Sequence, residues 1–267
     1  MVSTVLITGA SQGSGKATAL LFARNGYDVV LAARQPDRLE AVAQEIQTLG
    51  RSALAISTDM GDFQQVQHLV NKALQTFGNI DILINNAGIC LTAPMEKTSL
   101  SDWQKIIDTN FWGYVYTIQA ILPHFLERNT GTIVNVGSFG GKMPLLNMTA
   151  YCASKYAVTG LTESLRLELF PKGIQVCAVH PGVINSNFME RAMFGGGDES
   201  ETEARRQQMS KLLESSWVSK PEDIANAIWD AVQNKRSEVV VGQTFLATEA
   251  YRLFPGLMQW FMNQNVN

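Results

Sequence analysis

Apolar residues fall along the chain in two alternating patterns. Short runs at 2–7, 28–33, 53–58, 80–84, 132–136, 175–179 and 238–241 are apolar at most positions. Such runs suit strands covered on both faces of a parallel sheet. Between them, at 15–25, 36–49, 63–77, 100–127, 150–170 and 221–234, apolar positions recur every three or four residues, which predicts amphipathic helices. Pro36 and Pro221 stand at first-turn positions, and Gly26, Gly50 and Gly78 follow helical segments as stops. Regular strand–helix alternation implies right-handed crossovers and a layer of strands between two layers of helices. The expectation is one α/β domain with a doubly wound, mainly parallel sheet of seven strands.

Two segments break this rhythm. Residues 187–215 carry Gly195-Gly196-Gly197 and then a charged stretch; a long insertion after a strand end suits either a substrate lid or a solvated surface helix. Residues 244–267 form an apolar, aromatic tail that includes Tyr251, Phe254, Leu257 and Trp260. It is expected to pack on the domain or on a partner subunit, with contact to a membrane surface as the alternative. Residues 1–243 then make up the working domain.

Composition narrows the class. With 46% hydrophobic and 17% charged residues in 267, the chain is neither disordered nor fibrous. A net charge of −3 without a basic block gives no footprint for nucleic acid. Cys90, Cys152 and Cys177 are too scattered for a disulfide framework or a zinc site, so no metal is expected and a reducing compartment fits. No apolar run of about 18 residues is present for a transmembrane helix, and the first strand begins without a basic leader. A cytoplasmic location is expected.

The first strand runs into Thr8-Gly9-Ala10-Ser11-Gln12-Gly13-Ser14-Gly15, and a helix follows. Glycines let a backbone turn tightly against a ligand, and a helix N-terminus offers unpaired N–H groups to a pyrophosphate. Strand, glycine turn and helix together point to a dinucleotide site of the Rossmann type. A P-loop is excluded, because Gly15-Lys16 continues into Ala17 rather than Ser or Thr. A Tyr and a Lys four residues apart, as in Tyr151-Cys152-Ala153-Ser154-Lys155, share one helix face about 6 Å apart along the axis. A nearby ammonium favours the phenolate, which equips a tyrosine for proton transfer near neutral pH. Gly137-Ser138-Phe139-Gly140 lacks the GxSxG spacing of a hydrolase, and none of His68, His124 and His180 stands in a triad context.

These motifs resemble those of the short-chain dehydrogenases/reductases. Thr8–Gly15 is similar to the family's TGxxxGxG, with Ser14 where an apolar residue is usual. Asn85-Asn86-Ala87-Gly88 resembles NNAG, Tyr151 and Lys155 resemble YxxxK with Ser138 upstream, and Pro181-Gly182 follows the sixth strand with Ser186 where Thr is common. The resemblance implies a catalytic set of Asn110, Ser138, Tyr151 and Lys155. Tyr151 would be the general acid/base, Ser138 would orient the substrate carbonyl, and Lys155 would lower the tyrosine pKa and hold the nicotinamide ribose. Asn110 would anchor a water in the proton relay. It also implies a cofactor site of Gly9, Ser11, Gln12, Gly13, Ser14, Gly15, Ala33, Arg34, Asp59, Met60, Asn86, Ala87, Gly88, Tyr151, Lys155, Pro181, Gly182, Ile184 and Ser186. The second strand ends Leu31-Ala32-Ala33-Arg34, with no carboxylate to repel a 2′-phosphate and an arginine to pair with it. NADP(H) is therefore expected over NAD(H).

The function implied is an NADP(H)-dependent oxidoreductase that interconverts a ketone or aldehyde and its alcohol. Gly140, Met143, Leu145, Leu146, Phe188, Met189 and Phe194, expected near the substrate, are mostly apolar, which suggests a hydrophobic small-molecule carbonyl compound. A 3-oxoacyl-carrier-protein reductase and a non-catalytic NADP-sensing regulator are the alternatives. The family's habit of pairing subunits through its long helices implies a homodimer or homotetramer.

Overall fold

The chain was analysed as a computed structural model that describes residues 2–183, 192–195, 202–203, 206–207, 210, 218–242 and 244–264. Its strands are β1 (Thr4–Thr8), β2 (Asp28–Ala33), β3 (Ala53–Ser57), β4 (Ile82–Asn85), β5 (Cys90–Thr92), β6 (Gly131–Val136), β7 (Ile174–Pro181), β8 (Ala192–Phe194) and β9 (Glu238–Val241). Seven of them form a parallel sheet in the order β3-β2-β1-β4-β6-β7-β9. β5 and β8 pair separately, also in parallel, and neither is foreshadowed by the apolar pattern. The winding reverses between β1 and β4, which leaves a crevice at the carboxyl ends of those strands, where open α/β sheets bind ligands.

Helices α1 (Gly13–Arg24), α2 (Pro36–Thr48), α3 (Phe63–Phe77), α4 (Leu100–Ile107), α5 (Gly113–Arg128), α6 (Thr149–Leu169) and α7 (Pro221–Gln233) cover the sheet. One face is closed by Phe22, Leu39, Ile46 and Ile228. The other is closed by Leu69, Ile118, Ile121 and Phe125. Phe22 also meets Tyr27 and Trp229 edge-on, with centroids 5.1 Å away in each case. α3 begins at Asp62, whose carboxylate accepts from the Gln64 and Gln65 N–H groups, and it ends at Gly78 with φ 71°.

The helix expected over 100–127 is not continuous. It divides into α4 and α5 around a π-helical turn at Asp108–Trp112. The cause is Asn110, fully buried, whose amide reaches out of the helix. It donates to the Ile89 carbonyl at 2.9 Å and the Ser154 hydroxyl at 3.0 Å, and it accepts from the Ile89 N–H at 2.8 Å. A turn that widens at a polar residue often marks a functional site. In the tail, α8 (Thr244–Leu253) and α9 (Pro255–Gln264) leave Phe245, Leu246, Phe254 and Trp260 at least half exposed in the single chain. Residues 187–215 lie for the most part outside the described residues. Among the described residues no helix is long and apolar enough to cross a membrane.

A polar chain crosses the second core. Thr117 of α5 donates to Asn85 Oδ1 (2.7 Å), Asn85 Nδ2 to Asn135 Oδ1 (3.0 Å), and Asn135 Nδ2 to Thr162 Oγ1 of α6 (2.9 Å). All four side chains are fully buried. Removing one member strands its neighbours without water. Asn135→Ala should therefore destabilise the protein by about 3 kcal/mol, read as a fall in the urea midpoint; a change under about 0.5 kcal/mol would show the chain to be dispensable.

Candidate active site at the carboxyl edge of the sheet

The turn after β1 is built for close approach. Gly9 takes φ 67° and Gly13 φ 55°. A Cβ on Gly15 would lie 2.2 Å from the Gly9 carbonyl oxygen, so only glycine fits there. The turn is stitched to the loop after β4, where the Thr8 hydroxyl accepts from the Asn86 and Ala87 N–H groups at 3.0 Å each. Asn86 Nδ2 donates back to the Thr8 carbonyl at 3.0 Å, and the Ser14 hydroxyl donates to Asn86 Oδ1 at 2.8 Å. Ser14, the departure from an apolar residue, thus has a partner that an apolar side chain could not provide.

These loops border a cleft of about 810 Å³. Gly9, Ser11, Gln12, Ala33, Arg34, Asp59, Met60, Asn86, Ala87 and Gly88 all line it, so ten of the residues expected to hold the cofactor meet in one cavity. Gly13, Ser14 and Gly15 open α1 and are not among its lining residues. Arg34 is exposed at the end of β2. Asp59 accepts from the Gly61 N–H at 3.0 Å, which fixes its carboxylate. Pro181 ends β7, and a Cβ on Gly182 would press to 2.8 Å from Thr244 Cγ2. Ile184, Ser186, Phe188 and Met189 lie outside the described residues. A glycine cradle too tight for a Cβ, a helix N-terminus and a long cleft at the switch point fit a dinucleotide.

Ser138 and Tyr151 do not line that cleft; they meet beside it. A Cβ on Gly140 would lie 3.2 Å from Tyr151 Cε1 and 3.5 Å from Ser138 Oγ. Ser138 Oγ accepts from the Gly140 N–H at 3.1 Å, which leaves its hydrogen to be donated elsewhere. Lys155, one turn along α6 from Tyr151, is buried. Its ammonium donates to the Val136 carbonyl at 3.0 Å and sits 5.4 Å above the Tyr114 ring. The Tyr114 hydroxyl donates to the same carbonyl at 2.9 Å, and burial raises its pKa further from neutrality. A Cβ on Gly88 would lie 3.5 Å from both Lys155 Nζ and Asn110 Oδ1, so Lys155 faces the cleft wall. Asn110 spends both amide hydrogens on Ile89 and Ser154, which leaves its side chain no donor for a water.

The profile of the short chain dehydrogenases matches residues 3–193. The chain is 33% identical over 226 residues to the NADP-dependent 3-hydroxy acid dehydrogenase YdfG of Salmonella typhi, covering 84% of this chain and 87% of that protein. It is 32% identical over 245 residues to the 3-oxoacyl-[acyl-carrier-protein] reductase FabG of Staphylococcus aureus, covering 91% and 96%. Among solved structures, a Burkholderia phymatum short-chain dehydrogenase/reductase in complex with NAD superposes with a TM-score of 0.85 at 26% identity, over 94% of this chain and 95% of that one. A Sphingobium yanoikuyae short-chain dehydrogenase in complex with NADPH gives a TM-score of 0.78 at 29% identity, over 98% and 95%.

The chain belongs to the short-chain dehydrogenase/reductase family. It is accordingly an oxidoreductase that acts on CH–OH groups with a nicotinamide dinucleotide.

Several residues of this short-chain dehydrogenase were not foreseen. Lys105, Asp108 and Thr109 bring the end of α4 to the cleft, and Met193 of β8 reaches it as well; none belongs to a sequence motif. His180, with no triad context in the sequence, is fully buried and lies beside Ser138. Its place directly before Pro181-Gly182 was the only signal available. Arg206 lies over the Phe194 ring at 5.5 Å. All three cysteines are free thiols, and burial pushes Cys90 and Cys177 up to about 12.

Burial lowers the Lys155 ammonium from 10.5 to about 8, with Cys90 opposing the shift. Below pH 8 the folded state bears the cost of a buried charge. Between about 8 and 10.5 the folded state has released the proton and the unfolded state still holds it, so stability rises with pH across that window. Relative to Lys155→Met, the ligand-free protein should gain about 2 kcal/mol between pH 7.5 and 9.5, measured by urea unfolding at both pH values. Parallel curves for the two proteins would place the lysine in water instead.

Proposed function

We propose that this protein is an NADP(H)-preferring carbonyl reductase and alcohol dehydrogenase for a hydrophobic small molecule, with Tyr151 as general acid/base. The observation that carries the reading is the meeting of Tyr151 and Ser138 across Gly140, with the buried Lys155 ammonium one helical turn away and facing the cleft. When bound, the nicotinamide supplies the hydride to the carbonyl carbon or takes it from the alcohol. Ser138, whose oxygen already accepts from Gly140, donates its hydrogen to the carbonyl oxygen and orients it. Tyr151 gives that oxygen its proton in reduction and removes it in oxidation. Lys155 favours the phenolate electrostatically, and a low-dielectric setting strengthens that effect. Asn110 braces α6 against the loop at Ile89, which keeps Tyr151 and Lys155 in register with the cleft.

The NADP(H) preference rests on Arg34, exposed on the cleft at the end of a strand that carries no carboxylate. The NADP-dependent Salmonella relative and the NADPH-bound Sphingobium structure agree with it. Leu145, pressed against Gly140, supports an apolar substrate. We further take the protein to be cytoplasmic and a homodimer or homotetramer, with the segment 187–215 closing over the substrate.

NADPH oxidation, followed by absorbance over a panel of ketones, aldehydes, 3-hydroxy acids and acyl thioesters with NADH in parallel, tests the reading. Tyr151→Phe is expected to lower kcat by roughly 10²–10⁴ and leave the NADPH Kd nearly unchanged; wild-type turnover would remove Tyr151 from the chemistry. Arg34→Ala should raise the KM for NADPH by roughly tenfold, equivalent to about 1.4 kcal/mol, and change that for NADH little. Equal effects on the two cofactors would refute the 2′-phosphate assignment.

A further inference from the structure

His180 is buried on the last turn of β7 with an acceptor at each ring nitrogen. Nδ1 lies 3.3 Å from the Ser138 carbonyl oxygen. Nε2 lies 3.0 Å from Glu238 Oε1 of β9, off the line of a directed N–H bond. A neutral imidazole carries one hydrogen and would therefore turn a lone pair toward one of these oxygens. A hydrogen on Nδ1 satisfies the contact to the Ser138 carbonyl, the one that has hydrogen-bond geometry. The space for the ring is reserved as well, since a Cβ on Gly137 would lie 2.5 Å from Nδ1.

The ring stands inside a cluster of charged side chains. Glu238 also pairs with Lys142 on the turn that follows Ser138, and Lys142 lies 3.8 Å from Glu163 of α6. The contact with His180, opposed by burial and helped by Lys142, holds the Glu238 carboxyl down at about 2, well within its ionised range at neutral pH. The cluster thus joins β7, β9, α6 and the Ser138 turn.

We propose that His180, set between Glu238 and the Ser138 carbonyl, is a positioning residue that holds the Ser138 main chain so that its hydroxyl meets the substrate oxygen. This rests on the reading of Ser138 given above. Through this contact the strand β9, at the edge of the sheet, bears on a residue that follows β6, two strands away.

The imidazole ¹⁵N resonances of the intact protein at pH 7, with His180 assigned by its disappearance in His180→Asn, report which ring nitrogen carries hydrogen. Nδ1 should carry it, and a bare Nδ1 would overturn the proposal. Glu238→Gln, at an exposed position, should lower kcat; an unchanged kcat would also overturn it. Asn at 180 can place an amide N–H where Nδ1 stands, and Gln reaches past it. His180→Gln should therefore lose roughly tenfold in kcat at an unaltered NADPH Kd, and His180→Asn should recover most of that loss. Equal losses in the two variants would overturn the proposal. Ser138→Ala separates the premises, because wild-type kcat there would overturn the reading of Ser138 itself, whereas a large loss there with equal Asn and Gln kinetics rejects only the role of His180.

Discussion

The site depends on a hydrogen-bonded chain that never touches it. Thr117, Asn85, Asn135 and Thr162 run from α5 through β4 and β6 to α6, all of them fully buried. Those four elements carry most of the residues proposed for the chemistry. β4 leads into Asn86 and Gly88, β6 leads into Ser138, α6 carries Tyr151 and Lys155, and Asn110 stands just before α5. A purely apolar core would let these elements slide by fractions of an ångström at modest cost. An amide chain with every member satisfied does not slide, because each lost bond leaves a dry polar group.

Electrostatics divides the edge of the sheet into two regimes. Around Lys155 a lone ammonium is held by the Val136 carbonyl and the Tyr114 ring, so charge is kept where it is costly. Such groups concentrate where a pKa must be tuned for a task. Around His180 the neighbouring charges are paired with each other, Glu238 with Lys142. The two regimes flank Ser138, one through the peptide of Val136 and the other through its own carbonyl.

Much of this was legible along the chain. The seven strands of the large sheet and the first three helices follow from apolar periodicity, because a two-face-covered strand and a one-face-covered helix leave different repeats. The glycine turn was legible because steric limits make glycine the only residue for such backbone. Asn110 stood out along the chain as a candidate, but its effect on the helix was not legible; the periodicity of 100–127 continues through the π-helical turn because the flanking apolar positions serve both halves. β5 and β8 were not legible, since three-residue strands are too short to show a period. The exposed aromatic residues of α8 and α9 read the same way in sequence as packed ones do.

Sequence alone determined the α/β alternation, the doubly wound sheet, the dinucleotide turn and the order of Asn110, Ser138, Tyr151 and Lys155. Each of these is a local property, set by periodicity, by backbone sterics or by spacing on one helix. Tertiary structure decided what lies between distant segments: that Ser14 bonds Asn86, that the buried Lys155 ammonium lies over the Tyr114 ring, and that His180 stands between Glu238 and Ser138. Those facts depend on which strands become neighbours and how far each side chain reaches across them. A hydrogen bond of 3 Å between residues more than forty positions apart leaves no periodic trace in either segment.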